Sequence, residues 1–182
     1  MARPPVYDDA LRSRLLEATA ELVDRVGPER VTLRDAARAA GTSTSAVYAF
    51  FGGRDELLGA VVAEAFTSFA AEQSRAEGEG LRSLGYAYRD WAKRHPARYR
   101  LMFGGALASF DGGIDSDRSL EPLMRALAAR GATDPLAAAV SVWAHVHGAV
   151  SLEFACVAPP EADWDAVYET VLDDVERAWP RA

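Results

Sequence analysis

The chain has 182 residues, enough for one compact domain or two small ones. Hydrophobic residues make up 49% and charged residues 26%, which excludes wholesale disorder; a single cysteine, Cys156, excludes an intrachain disulfide framework and a cysteine zinc finger. The net charge of −7 gives no overall reason to expect nucleic-acid binding, but it is uneven: residues 1–59 hold 8 Arg against 9 Asp and Glu, and the rest hold 12 basic residues against 18 acidic.

Nearly every periodic stretch has helical spacing, and none alternates like a strand. Asp8 or Asp9 caps a first helix with an apolar stripe at Leu11, Leu15, Ala18, Leu22 and Val26, ended by Gly27-Pro28. Thr32 and Asp35 have capping-box spacing and open a second helix, Leu33 to Ala40; Gly41 stops it. Ser43 caps a third, Thr44 to Phe51, and Gly52-Gly53 breaks the chain before a long fourth helix from Arg54 to Arg75. Glu77 to Gly80 reads as a loop, Leu81 to Arg94 as helix five, and Ala97 to Phe103 as a short helix after His95-Pro96. Asp111 to Ser119 reads as a mobile loop, Leu120 to Arg130 as helix seven, Pro135 to Cys156 as helix eight, and Glu161 to Trp179 as the last. Apolar runs are broken by charge or Gly short of a membrane span, and Met1 to Ala10 lacks the apolar stretch of a signal peptide, so a cytoplasmic chain without a membrane partner is expected.

Residues 33–51 are the most informative: two short helices joined by Gly41-Thr42-Ser43, the helix-turn-helix arrangement whose second helix enters the major groove. Ala36, Ala37, Ala39 and Ala40 allow close helix approach; Val47 and Phe51 face the core, leaving Thr44, Ser45, Ala46 and Ala49 outward. Spacing alone fits a plain helical hairpin as well as a DNA reader.

The residues themselves are more specific. Leu15-Leu16-Glu17-Ala18, Gly27, Val31 to Ala37, Ala40 to Ser43, Val47 to Phe51 and Arg54 to Leu58 resemble the TetR family of transcriptional regulators. Tyr86 to Phe103 and Trp143-Ala-His-Val-His147-Gly148 resemble the WHG-type ligand-binding domain of a subset of that family. The resemblance implies an all-α protein of about nine helices: a helix-turn-helix three-helix bundle (1–54) joined by a long helix to an effector-binding and dimerisation domain (55–182).

It also implies roles. Arg34 reaches phosphate or guanine, where Arg suits bidentate contact. Thr32 and Ser43 cap helices whose N-termini face phosphate, Tyr48 donates its hydroxyl to phosphate, and Arg54 is the basic residue opening helix four. Thr44-Ser45 replaces a frequent Lys-Gly, and Ala49 and Phe50 stand where polar residues are common, which shifts base reading onto Arg34, Thr44, Ser45 and thymine-methyl contacts from Ala46 or Ala49. An arm with Arg3, Arg12 and Arg14 adds phosphate contacts or is simply a solvated terminus.

Helix eight carries a stripe at Leu136, Val140, Trp143, His147, Val150 and Phe154, and helix nine one at Trp164, Tyr168, Val171, Leu172, Val175 and Trp179. These stripes either cover the chain's own core or, as the resemblance implies, form a four-helix bundle with a second subunit, with Val150, Phe154, Trp164, Tyr168, Val171, Val175 and Trp179 in the homodimer contact. Tyr88, Trp91, Met102, Phe103, Phe110, Met124 and Trp143 give helices five to eight an aromatic and Met-rich interior, which the resemblance makes an effector pocket for a small molecule, with His147 as polar anchor or as a buried core histidine; the acidic excess of this domain favours an apolar neutral or a cationic ligand over a polyanion.

No phosphate loop, nucleophile elbow or acid pair supports catalysis, and no cofactor is implied. His145 and His147 are two residues apart on a helix, about 200° of rotation, so they do not chelate one metal. Cys156 reads as a small hydrophobe. The expected function is a ligand-responsive regulator, a homodimer that represses by binding a near-palindromic duplex DNA operator and lets go when a small molecule binds. The rival is an all-α small-molecule-binding or scaffold protein that has lost DNA recognition, supported by the weakly charged third helix.

Overall fold

A computed structural model describes residues 8–103, 117–157 and 159–180, and among them the chain is all helix, without strands. Helix α1, Asp9–Val26, is capped by Asp8, whose Oδ1 accepts from Leu11 N at 2.8 Å. Helix α2, Leu33–Ala39, and α3, Thr44–Phe51, are capped by Thr32 and Ser43. Between them Gly41 has φ 66°, a left-handed turn that side-chain-bearing residues resist. Then come α4, Arg54–Ala76, α5, Leu81–Arg94, and α6, Pro96–Phe103. The last three are α7, Asp117–Ala128, α8, Pro135–Ala155, and α9, Trp164–Ala178.

Several expectations need correcting. Glu77–Glu79 is a 3₁₀ turn, not an open loop. Of the loop expected at Asp111 to Ser119, residues 117–119 are the first turn of α7 and the rest lie outside the described residues. The last helix starts at Trp164, because Asp163 accepts from the N–H groups of Asp165 and Ala166 and so fixes the N-terminus there. Helix α8 is long and apolar enough, by composition, to cross a membrane, contrary to the sequence reading; it carries His145, His147 and Glu153, and Ala138, Ala139, Val142, Val146, Ala149 and Val150 are buried.

The chain divides into two compact units: Met1–Thr67 with His95–Asp115, and Ser68–Arg94 with Ser116–Ala182. The division falls within α4 rather than at residue 54, because α6 packs on α1 and so joins the first unit. There Leu101 enters the core with Leu15, Leu16, Val47, Leu57 and Val61, and Arg100 grips both carboxylate oxygens of Asp24, at 2.5 and 2.6 Å. With α2 and α6 both on α1, its buried face is Leu11, Leu15, Leu16, Thr19, Ala20 and Val23, while Ala18, Leu22 and Val26 of the expected stripe are only half-buried.

In the second unit α5 packs on α7, α8 and α9. Leu81, Leu84, Leu127, Ala139, Val142 and Val175 form an aliphatic core, with Met124 and Trp179 against it. Gly85 lets α9 come close: a Cβ there would meet Leu172 Cδ2 at 2.3 Å. Arg89 holds Glu153 through two 2.8 Å bonds and Asp165 at 2.6 Å, and its guanidinium lies 5.0 Å from the Tyr168 ring. The Tyr168 hydroxyl donates to Gly85 O at 2.6 Å. Arg89 holds the Glu153 carboxyl below its ordinary range by hydrogen bonding, against the opposing effect of burial.

Candidate nucleic-acid interface and effector site

The two short helices present capped N-termini. Thr32 Oγ1 accepts from Asp35 N at 3.2 Å and donates to Asp35 Oδ2 at 2.6 Å; Ser43 Oγ accepts from Ala46 N at 3.2 Å. Amide groups at such ends are natural donors to phosphate. Arg34, Ser43, Ser45 and Ala49 are exposed, Thr44 is half-buried, and Tyr48 is 57% exposed, a large aromatic left to solvent beside small polar neighbours.

Two residues differ from expectation. Ala46 is 1% exposed and packed in the first unit's core, so it offers no methyl to a base; the side of α3 that carries Val47 also carries Ala46. Arg54 is committed to the fold: Nε donates to Val31 O at 2.8 Å, Nη2 to Pro28 O, and Nη1 to Asp55 Oδ1 at 2.7 Å. Of the supposed arm, Arg12 and Arg14 belong to α1, and Arg12 stacks 5.5 Å from the Phe51 ring; Arg3 lies outside the described residues.

The expected effector residues are shared between the two units. Met102 and Phe103 belong to the first unit, where Phe103 meets Phe66 at 6.4 Å and Tyr99 at 5.0 Å. Met124 joins the aliphatic core, and Phe110 lies outside the described residues. Tyr88, Trp91, Trp143 and His147 stay in the second unit. Phe69 stands 5.3 Å from Tyr88 and 5.2 Å from Trp91, edge-on to both. Trp91 Nε1 donates to Ser68 Oγ at 3.1 Å.

The polar groups form a chain. His147 Nδ1 is 2.8 Å from the Tyr88 hydroxyl, His147 Nε2 is 3.2 Å from Ser151 Oγ, and Trp143 Nε1 donates to Tyr88 Oη at 3.4 Å. Burial pushes the His147 imidazole below its ordinary pKa. A neutral ring with Nδ1 accepting from Tyr88 and Nε2 donating to Ser151 satisfies all of these distances. His145, by contrast, is exposed and bonds Ser141 O at 2.8 Å.

Sequence reasoning missed Gln73. It is 5% exposed, and its Nε2 has no hydrogen-bond partner among the described residues. One turn earlier on α4 is Phe69 of the aromatic group; three residues later is Ala76, packed on the aliphatic core. A polar residue interrupting an apolar helix face at this spacing was the available signal.

The subunit face also differs. Val150, Tyr168 and Val175 are at most 6% exposed within the single chain, so they serve its own core; Phe154, Trp164, Val171 and Trp179 are half-buried. The exposed apolar residues are Leu136, Val140 and Leu152 on α8 and Val167 on α9, with exposed Ala144 and an open-faced Gly148 on the same side of α8.

Residues 15–61 match the family model "Bacterial regulatory proteins, tetR family", and residues 81–175 match "Tetracyclin repressor-like, C-terminal domain". HTH-type transcriptional regulators of Mycobacterium bovis and Mycobacterium tuberculosis are 31% identical over 98 residues, 50% of this chain and 42% of theirs, so the alignment spans less than half the length of these relatives. The regulatory protein SCO4313 superposes with a TM-score of 0.80 at 25% identity, over 96% of this chain and 98% of that one. SmeT, repressor of a Stenotrophomonas maltophilia multidrug efflux pump, superposes with a TM-score of 0.65 at 25% identity, over 92% and 89%. With one family model on the helix-turn-helix and the other over more than half of the sequence, this chain belongs to the TetR family of bacterial regulatory proteins.

Proposed function

We propose that the chain is a cytoplasmic, ligand-responsive repressor that binds a near-palindromic operator as a homodimer and leaves it when a small molecule binds. The observation that carries this reading is the pair of side-chain-capped helix ends at Thr32 and Ser43 with Arg34 and Tyr48 exposed beside them. Ends, guanidinium and phenol together make a donor-rich surface, with the Asp35 carboxylate at the Thr32 cap already held by Thr32 and Arg38, which suits phosphate and guanine. Selection of binding sites from random duplexes tests it: a palindrome with half-sites about 34 Å apart is expected. Arg34→Ala loses the preference for that sequence, and Tyr48→Phe weakens binding evenly across sequences. Recovery of no sequence overturns the reading.

The homodimer face on this reading is Leu136, Val140, Ala144, Gly148 and Leu152 of α8 with Val167 of α9, since these apolar or small positions lack cover within the chain. Val171 and Trp164 stand at its edge.

For the effector we favour a neutral, largely apolar molecule with a hydrogen-bond acceptor. Phe69, Tyr88, Trp91 and Trp143 supply aromatic surface, and the unpaired Gln73 amide supplies a donor. His147 is spent on Tyr88 and Ser151, so it orients Tyr88 rather than anchoring the ligand itself. Arg82, Arg89 and Arg125 are each held by two or more carboxylates, which disfavours a polyanion in this unit. SmeT has been crystallised with triclosan, a property of that protein that fits the same chemical class. Helix α4 is continuous from Arg54 to Ala76, so Phe69 and Gln73 ride on the helix that begins beside the reading head. Coupling of about 1–3 kcal/mol is typical for such a switch and must be reciprocal.

A further inference from the structure

Arginines with carboxylate partners occur in both units, Arg38, Arg54, Arg98 and Arg100 among them in the first, but the described arginines without a partner all lie in the first. In the second unit Arg75, Arg82, Arg89, Arg94, Arg125 and Arg177 all have carboxylates. In the first unit Arg14, Arg25, Arg30 and Arg34 have neither ion pair nor side-chain hydrogen bond among the described residues. An unpaired guanidinium at the surface is a standing offer to an oxyanion.

Two of these four share a concavity. Arg25, in the last turn of α1, and Arg30, in the 3₁₀ turn Pro28–Arg30, line a notch of about 470 Å³ with Leu22, Val26, Asp35, Arg38 and Ala39. Its one carboxylate, Asp35, is already occupied by Arg38 and by the Thr32 hydroxyl. Neighbouring acids do not quench the pair either. Asp24 is taken by Arg100, and Glu21 and Glu29 form no ion pair with Arg25 or Arg30 among the described residues. Three guanidinium groups against one carboxylate make the notch cationic in a chain of net charge −7.

The notch adjoins the reading head. Arg38 follows Arg34 by four residues on α2, and Asp35 is bonded to the Thr32 cap. We propose that the notch seats a backbone phosphate of operator DNA flanking the half-site, with Arg25 and Arg30 as its clamp and Leu22, Val26 and Ala39 against the sugar. The last turn of α1 thereby joins the DNA interface. The inference rests on the operator-binding reading.

The test uses the full chain, the selected operator and Arg25→Gln/Arg30→Gln. Both side chains are exposed and unpartnered, so the thermal midpoint of the double variant should equal the parent's. Its affinity should fall for all sequences alike, and the slope of log affinity against log salt should shrink by about two units, one for the phosphate lost at each half-site of the dimer. Trimming the duplex from its ends should lower the parent's affinity at one step that the variant does not show. An unchanged slope and the same response to trimming would overturn the proposal. So would inorganic pyrophosphate that binds the parent, not the variant, without competing with operator; the notch would then serve a free anion. A parent that fails to bind any operator sinks the regulator reading, whereas sensitivity to Arg34→Ala beside an indifferent double variant removes only the clamp.

Discussion

Arg54 Nε donates to the carbonyl oxygen of Val31 at 2.8 Å, tying the first turn of α4 to the residue just before the Thr32 cap. The same guanidinium reaches Pro28 O, so one side chain closes two carbonyls of the turn that leads into α2. A residue that the family resemblance assigns to phosphate therefore sets the entry of the helix that presents Arg34.

Arg54→Ala should accordingly lower stability by about 1–3 kcal/mol, the usual cost of losing charge-assisted hydrogen bonds to buried or half-buried acceptors. Denaturant unfolding measures it. Operator affinity should fall as well, and Arg54→Lys should restore charge without restoring the two-carbonyl geometry. An unchanged unfolding midpoint in Arg54→Ala would return the residue to a pure phosphate role.

The uncovered side of α8 gives the second prediction. Val140→Asp and Leu152→Asp should yield folded monomers, because both positions are solvent-exposed in the single chain, at 44% and 52%. In a dimer the same carboxylate would be buried without a partner, which is strongly destabilising. Sedimentation should show half the parent's mass with unaltered helix content, and operator affinity should drop steeply. Tyr168→Asp, by contrast, should disrupt the fold itself, since that ring is 2% exposed and holds Gly85 O.

His147 makes stability depend on pH in a known direction. Burial lowers its pKa in the folded chain, so the unfolded chain, near the ordinary 6.5, takes up the proton first. Stability is full above that ordinary value and is lost as pH falls below it toward the depressed folded value. The thermal midpoint should therefore decline between pH 7 and pH 5.5, and His147→Gln should flatten that decline. A parent midpoint that is level over this range would mean the folded ring takes up its proton as readily as the unfolded one.

Gln73 gives the fourth. An amide N–H₂ buried without a partner costs about 1–3 kcal/mol, so Gln73→Met should be at least as stable as the parent and melt higher. The same change should weaken any effector that presents an acceptor and leave hydrocarbon analogues unaffected. Tryptophan quenching follows the second effect, through Trp91 and Trp143. A variant that melts lower would show that the amide is satisfied in the resting protein.

What the sequence reveals depends on how local the deciding physics is. The bounds of α3 and α5 match expectation because Ser43, Gly52 and Pro96 act on their own neighbours. The last helix starts three residues later than its spacing predicts because the Asp163 carboxylate, and not the Pro159-Pro160 pair, fixes its first turn. Ala46 illustrates a different limit. Small residues on α3 look alike in sequence, and only the packed neighbours decide that Ala46 turns inward while Ala49 stays out. Likewise a helical stripe at Val150, Tyr168 and Val175 says that a face is apolar, not whether the same chain or a second copy covers it. The unpaired amide of Gln73 and the notch at Arg25 and Arg30 depend on contacts between elements, which periodicity does not encode.

The return of α6 to α1 bears on how such proteins are recombined. A chimera that borrows this reading head by cutting at residue 54, or even at 67, would leave Leu101 and Arg100 behind. The transplanted head would expose the core positions that Leu101 covers and strand the Asp24 carboxylate without its counter-charge. The exchangeable piece is discontinuous in sequence, and a graft with altered operator choice has to carry Pro96–Phe103 along with the helix-turn-helix.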